Sequence, residues 1–166
     1  MTQIAERLGD VLRERNHTLA TAESCTGGLI GARITDVPGS SDYFDRSLVT
    51  YAYGAKEQLL GVNREDLDAH GAVSESVARQ MAQGVRDTAD VTWGVSTTGV
   101  AGPSGGTPDT PVGTVFIGIA YAGPWGTESS YTTVERYQFD GDRATVREKT
   151  VEQALTDVLD EVESLE

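Results

Sequence analysis

A short apolar run that leads into a glycine-rich turn and then into a helix constrains the fold of this chain more than any other segment. Residues 19–22 have the length and composition of a buried strand, and the turn follows over residues 24–28. Helical spacing resumes with Leu29, Ile30 and Ile34. An amphipathic helix is predicted before the strand, over residues 2–15. A strand that has a helix on either side of it in the chain predicts an α/β fold.

Strands and helices continue to alternate over the rest of the chain. β-Branched and aromatic residues predict strands over residues 48–53, 91–98, 113–121 and 129–139. Helical patterns predict a short helix over residues 54–60, a longer one capped by Ser74, and a last one from about residue 142. The sequence therefore predicts one domain over residues 1–166 with a three-layer α/β/α architecture. The two consecutive strands near the end require an antiparallel pair, so we expect a mixed sheet.

The charge of the chain excludes several classes of partner. Thirteen Lys and Arg residues against 26 Asp and Glu residues give a net charge of −13. Proteins that bind nucleic acids or anionic membranes present basic surfaces instead. No apolar run approaches the roughly 18 residues of a membrane span, and the charged residues 1–14 lack the apolar core of a signal peptide. We therefore expect a soluble, cytoplasmic protein that binds neither nucleic acid nor membranes.

Lysine and cysteine are both rare in this sequence. Lys56 and Lys149 are the only lysines among the basic residues. An acidic surface with few lysines favours a high-salt cytoplasm, where screening removes self-repulsion, and an acidic protein from an ordinary cytoplasm is the alternative. Cys25 is the only cysteine, so no internal disulfide can form, and His17 and His70 stand apart from any metal-ligand spacing. We therefore expect no metal site.

Ser24 occupies the point where the first strand turns towards a helix. A serine at such a turn resembles a nucleophile elbow, in which the N–H groups of the helix N-terminus can stabilise an oxyanion. Gly27 and Gly28 would let a substrate approach the backbone closely. The alternative is that Ser24 or Thr26 only caps the helix. Cys25 is interpreted as a small buried residue rather than as the nucleophile.

Lys56 follows a predicted strand and opens a predicted helix. Both the helix dipole and partial burial would lower the pKa of a lysine at this position, as a lysine general base requires. The alternative is a lysine whose stem packs against the protein while its ammonium group reaches solvent.

Two further segments are candidates for binding an anion. The glycine-rich loop over residues 97–107 offers closely spaced backbone N–H groups, although a purely structural turn explains it equally well. Arg143 begins the last helix, with Arg147 one turn further on. In a chain of net charge −13, Arg143 is a candidate anchor for a phosphate or carboxylate, and an ordinary solvated arginine is the alternative.

Seven short motifs occur in order and span nearly the whole chain. They are residues 21–28 (TAESCTGG), 37–41 (VPGSS), 49–51 (VTY) with Lys56, 71–74 (GAVS), 98–103 (TGVAGP), 111–115 (PVGTV) and 141–143 (GDR). Together they resemble the CinA C-terminal domain family, whose characterised members are nicotinamide-nucleotide amidohydrolases. The chain resembles the stand-alone form, which lacks the molybdopterin-binding-like domain of longer members.

The resemblance implies a reaction and a set of site residues. It implies that the carboxamide of nicotinamide mononucleotide is hydrolysed to nicotinate mononucleotide and ammonia, with no metal or cofactor. Ser24 would be the nucleophile, Lys56 its general base, and Tyr51 an aid to proton transfer. The other matched positions are expected to bind substrate: Glu23, Thr26, Gly27, Gly28, Thr98, Gly99 and Arg143. We also expect a homo-oligomer that has this small molecule as its partner.

The segment before the lysine departs from the family pattern. The family usually has Tyr-Ser-Asn there, whereas Tyr51 is followed by Ala52, Tyr53 and Gly54 in this chain. Rate or specificity would differ if the usual polar pair contacts the substrate. Two alternatives stay open, namely an amidase for another small amide and a non-catalytic module that binds nucleotides or proteins. The second would bind its ligand without releasing ammonia.

Overall fold

The computed structural model describes residues 2–165, which form one mixed sheet of five strands with helices on both faces. The strands are β1 Leu19–Glu23, β2 Phe44–Val49, β3 Trp93–Gly99, β4 Thr114–Tyr121 and β5 Tyr131–Gln138. The helices are α1 Thr2–Arg15, α2 Leu29–Thr35, α3 Tyr53–Leu60, α4 Arg64–His70, α5 Glu75–Ala89 and α6 Arg143–Ser164, with a 3₁₀ turn at Ser40–Asp42. Among the described residues, no helix is both long enough and apolar enough to cross a membrane.

Each face of the sheet carries its own hydrophobic core. Helices α1, α2 and α6 bury side chains such as Leu12, Ile34 and Leu155 on one face. Helices α3 to α5 bury their own apolar side chains on the other. Leu19 packs in the first core and its neighbour Ala20 in the second, as the alternation of a strand requires. The predicted three-layer α/β/α architecture and its mixed sheet are therefore confirmed.

The strand order places a ligand-binding crevice at the end of β1. The sheet order is β2-β1-β3-β4-β5, with β1 parallel to both β2 and β3. The chain leaves β1 through α2 to reach β2 on one side, and it returns through α5 to β3 on the other. Open α/β sheets bind ligands beyond the carboxyl ends of their strands where the order reverses in this way. The segments after residues 23, 49 and 99 meet at this point.

The second strand differs from its prediction. It spans Phe44–Val49 instead of residues 48–53, and Tyr53 already begins α3. Because β2 is an edge strand with exposed residues such as Asp45 and Arg46, the apolar pattern that marks a strand is weak there. Tyr51 consequently lies in a loop between β2 and α3.

Helix α4 is an element that the sequence pattern did not predict. Asn63 caps it, because its Oδ1 accepts a hydrogen bond from the Asp66 N–H at 3.1 Å. The helix spans only Arg64–His70 and buries a single side chain, that of Leu67. A helix of this length shows no apolar periodicity, so only its cap could have been recognised.

Candidate active site

Ser24 and Lys56 form a buried pair at the end of β1. The Ser24 N–H donates to the Thr97 carbonyl at 3.0 Å, which fixes the residue beside β3. Lys56 lies in the first turns of α3, and its side chain is fully buried. Its Nζ is 2.9 Å from the Ser24 Oγ. Two residues 32 positions apart in the chain are therefore in direct contact.

The surroundings of Lys56 make its ammonium group easier to deprotonate than that of a lysine in water. Besides Ser24, its Nζ contacts the carbonyl oxygens of Thr50 at 2.6 Å and Tyr51 at 3.0 Å. All three neighbours are neutral oxygens rather than carboxylates, so none of them carries a charge that would stabilise an ammonium ion. Burial accordingly lowers the pKa of Lys56 to about 8, because desolvation penalises the charged form.

The three contacts of Lys56 fit both of its protonation states. The Thr50 and Tyr51 carbonyls can only accept, so each takes an N–H group in either state. The ammonium ion donates its third N–H group to the Ser24 Oγ. The neutral amine has a lone pair at that position instead, to which the Ser24 hydroxyl can donate. This geometry suits a base that removes the serine proton.

Glu23, which precedes Ser24, is a structural residue and does not face a substrate cavity. Its carboxylate is fully buried and accepts six hydrogen bonds. Three come from backbone N–H groups of residues 28, 30 and 31 at 3.0–3.1 Å. Three come from hydroxyl groups, those of Thr21, Thr26 and Ser47. The structure thus places Glu23, predicted to bind substrate, outside both cavities that adjoin Ser24.

The same contacts change the expected role of helix α2. Its N-terminal N–H groups donate to Glu23, so they are not available to an oxyanion at Ser24. Neither Ser24 nor Thr26 caps the helix, since Gly28 is its N-cap and Glu23 supplies the acceptor oxygens. Thr26 is fully buried and donates to Glu23 at 2.7 Å, so it does not reach a substrate either.

One other backbone group can serve an oxyanion, the N–H group of Cys25, a residue that lines the small cavity beside Ser24. This N–H group donates to no oxygen within residues 2–165. The N–H group of the residue after the nucleophile is a frequent oxyanion donor at turns of this type. The side chain of Cys25 is buried, and burial raises the pKa of its thiol to about 12. Cys25 therefore stays protonated near neutral pH and is a poor nucleophile.

A small cavity of about 90 Å³ exposes Ser24. Five of the predicted site residues line it, namely Ser24, Tyr51, Thr98, Gly99 and Arg143, together with Cys25, Ala72, Val73 and Ala101. A larger cavity of about 490 Å³ adjoins it and shares Tyr51, Ala72 and Arg143 among its walls. Gly27 and Gly28 line neither cavity. The structure thus brings together the three expected catalytic residues, while Gly27 lies in the turn behind Ser24, where its N–H donates to the Ser24 carbonyl at 3.2 Å.

Two arginines of α6 hold the site together. Arg143 donates from Nη1 to the Gly102 carbonyl at 2.7 Å and from Nη2 to the Tyr51 hydroxyl at 3.4 Å. Arg147 donates to the carbonyls of Cys25 at 3.0 Å and Thr26 at 3.2 Å. Arg147 was predicted only as a neighbour of Arg143. Because Arg147 follows Arg143 by one helical turn, both side chains lie on the same face of α6, and this spacing was the signal that the sequence offered.

A family model for the CinA C-terminal domain matches residues 1–162 of the chain. The chain belongs to the CinA C-terminal domain family. CinA-like proteins of Salinibacter ruber and Chlorobaculum tepidum are 53% and 47% identical to it, over 148 and 163 residues. These matches cover 89% and 98% of this chain. They cover 34% and 38% of the relatives, so the chain spans about a third of their length.

Solved structures of the CinA superfamily share this fold over almost the whole chain. Competence damage-inducible protein A from Klebsiella pneumoniae superposes with a TM-score of 0.92 at 32% identity, covering 99% of this chain and 98% of that one. For CihA from Agrobacterium tumefaciens the TM-score is 0.89 at 35% identity, with 96% and 93% covered. The family predicted from the seven motifs is therefore confirmed. The relatives' names refer to competence and damage induction and state no reaction.

In this CinA domain, we expect Glu23→Ala to lower the free energy of unfolding by about 4 kcal/mol or more, since each buried donor left unsatisfied costs about 1–3 kcal/mol. Urea unfolding followed by circular dichroism measures the change. Glu14→Ala is the matched control, because Glu14 is exposed on α1 and surface changes stay within about 0.5 kcal/mol. Equal, small losses in the two variants would show that the six hydrogen bonds contribute little.

Proposed function

We propose that the chain is an amidase that hydrolyses the carboxamide of nicotinamide mononucleotide to nicotinate mononucleotide and ammonia. The observation that carries the proposal is the contact of 2.9 Å between the buried Lys56 Nζ and the Ser24 Oγ, at the base of a cavity. A lysine with no carboxylate among its three acceptors, and with a lowered pKa, is suited to act as a general base.

Ser24 acts as the nucleophile in the first half of the reaction. Neutral Lys56 takes the proton of the Ser24 hydroxyl while Oγ forms a bond to the amide carbon. The backbone N–H group of Cys25 stabilises the tetrahedral oxyanion. The Lys56 ammonium then gives its proton to the nitrogen of the breaking C–N bond, and ammonia leaves. The product of this half-reaction is an ester between Ser24 and the nicotinoyl group.

Water completes the reaction at the same two side chains. Lys56, neutral again, removes a proton from a water molecule, and the hydroxide adds to the ester carbon. When the C–O bond to Ser24 breaks, Lys56 returns the proton to the serine oxygen. The second product is nicotinate mononucleotide, formed as a carboxylic acid that loses its proton to solvent. Tyr51 lines the same small cavity, and its hydroxyl accepts a hydrogen bond from Arg143 at 3.4 Å. In this proposal the hydroxyl assists the proton transfers.

The two cavities fit the two ends of a nucleotide amide. The small one, about 90 Å³, suits a planar carboxamide, and the larger one, about 490 Å³, falls in the usual size range of about 300–1,000 Å³ for small-molecule sites. Arg143 lines both and supplies a cation for a phosphate group. In a chain of net charge −13, this local positive charge offsets the general repulsion of an anionic substrate.

Ammonia release from a panel of amides tests this function. We expect release from nicotinamide mononucleotide to be fastest, release from nicotinamide slow, and none from either with Ser24→Ala. NAD and simple aliphatic amides in the same panel test for an amidase of another specificity. Binding of nicotinamide mononucleotide without ammonia release from any amide would overturn the proposal and favour the non-catalytic module. A homo-oligomer in the cytoplasm stays a prediction, and size-exclusion chromatography with light scattering measures the oligomeric state.

A further inference from the structure

Tyr53 links the helix that carries the base to the wall of the catalytic cavity. It is the first residue of α3, three positions before Lys56. Its hydroxyl oxygen accepts a hydrogen bond from the Ala72 N–H at 3.2 Å. Its ring is 52% exposed and lines the larger cavity. A large aromatic side chain is thus half open to solvent while its hydroxyl group is held by the backbone.

Ala72 is fixed from two directions. While its N–H donates to Tyr53, its carbonyl accepts from the Thr98 Oγ1 at 2.9 Å, at the end of β3. Ala72 and Val73 line both cavities, including the small one that exposes Ser24. They belong to the connection between α4 and α5, where Ala72 also packs against the second core. The hydrogen bonds from Tyr53 and Thr98 tie this wall to α3 and to β3 as well.

We propose that Tyr53 is a positioning residue for the reaction at Ser24, acting through Ala72. This inference rests on the proposed amidase function. By holding the Ala72 N–H, the Tyr53 hydroxyl places the wall against which the reacting acyl group packs. The same helix places Lys56, so the base and the wall keep a fixed distance from one another. Misplacing a bound substrate by about 1 Å can reduce turnover by about 10²-fold, so small movements of this wall affect catalysis.

The test removes only the hydroxyl group. In Tyr53→Phe we expect kcat for nicotinamide mononucleotide to fall about tenfold, with KM changed less than about twofold, because orientation is lost while the ring and Arg143 remain. In the same variant, the Ala72 amide hydrogen should exchange at least about tenfold faster, as measured by NMR. Tyr131→Phe is the matched control, because the Tyr131 hydroxyl also has a partner, Glu161 at 2.8 Å, but lies at the opposite edge of the sheet. It should change neither quantity.

A double-mutant cycle with Thr98→Val separates positioning from general damage. If both side chains act through Ala72, the losses in kcat should be less than additive in the double variant. Two results would overturn this inference without affecting the proposed amidase function. One is fully additive losses in kcat, and the other is an unchanged kcat in Tyr53→Phe when the wild type is active. If the wild type releases no ammonia from any amide, the proposed function fails and this role of Tyr53 fails with it.

Discussion

Replacing Ser24 with alanine is expected to lower kcat for amide hydrolysis by at least about 10³-fold, the scale seen when a catalytic nucleophile is lost. The change removes one oxygen from a small cavity and leaves Lys56 in contact with the Thr50 and Tyr51 carbonyls. One lost hydrogen bond costs roughly 1 kcal/mol, so the domain should stay folded. Binding of nicotinamide mononucleotide, measured by calorimetry, should persist because Arg143 is unchanged.

Cys25 supplies the control for this experiment. Its thiol is the neighbouring and intrinsically more reactive group, but burial keeps it protonated by raising its pKa to about 12. We expect Cys25→Ser to retain kcat within about threefold and iodoacetamide to leave the wild type active. Two results together would show that Cys25 is the nucleophile instead of Ser24. They are turnover in Ser24→Ala close to that of the wild type, and inactivation of the wild type by alkylation of Cys25.

Lys56→Arg is expected to reduce kcat to a similar extent, by about 10³-fold or more. A guanidinium group keeps the positive charge but has a pKa above about 12, so it cannot accept the serine proton. Because Lys56 is fully buried, thermal unfolding of each variant must accompany the kinetics. Lys56→Met provides a variant of similar length that removes the buried charge, together with the hydrogen bonds to the Thr50 and Tyr51 carbonyls. We expect it to fold and to be equally inactive.

The pH dependence of the wild type gives a second measurement of the same group. The reaction needs neutral Lys56, so kcat/KM should rise about tenfold per pH unit at low pH and level off above a pKa of about 8. Lysine in the unfolded chain keeps a pKa near the model value of 10.5. Between these two values the unfolded state binds more protons, so this group makes the free energy of unfolding increase with pH.

The alternative role of Lys56 predicts a different pattern. If the side chain only anchored a substrate phosphate, Lys56→Arg would keep kcat and change mainly KM. The kcat/KM of the wild type would then fall, rather than rise, as the pH passes about 8, because an anchor for a phosphate has to be protonated. A Lys56→Arg enzyme with undiminished kcat would rule out the pair of Ser24 and Lys56 as the catalytic machinery.

The order and type of most elements could be predicted because their signals are local. The strand before Ser24, the helix capped by Ser74 and the long last helix all appear where the apolar spacing indicated. The contact between Ser24 and Lys56 depends instead on β1 pairing with β2 in a register that sets Glu23 beside Val49. No local sequence pattern encodes that register. The sequence alone therefore left both a catalytic and a structural interpretation open for Ser24 and for Lys56. The family motifs were needed to connect them.

Glu23 shows why motif membership did not define a role. A residue next to the nucleophile was expected to touch substrate, yet its carboxylate is occupied by six donors from β1, β2 and the start of α2. A cap that reaches five to eight residues forward along the chain does not follow the short-range capping patterns that sequence reasoning uses. Gly27 and Gly28 were also expected to bind substrate, yet they form the turn that lets the N–H groups at the start of α2 reach this carboxylate.

The scarcity of lysine gives the buried amine a spectroscopic consequence. Only two ε-amino groups exist in the chain. The second, that of Lys149, is exposed on α6 and donates to the Asp140 carbonyl at 2.7 Å. Protein grown with lysine labelled at the ε-nitrogen would therefore give just two side-chain signals, one from the exposed Lys149 and one from the buried Lys56. The protein thus carries its own single-site titration probe, which reports the protonation of Lys56 without substrate, inhibitor or chemical tag.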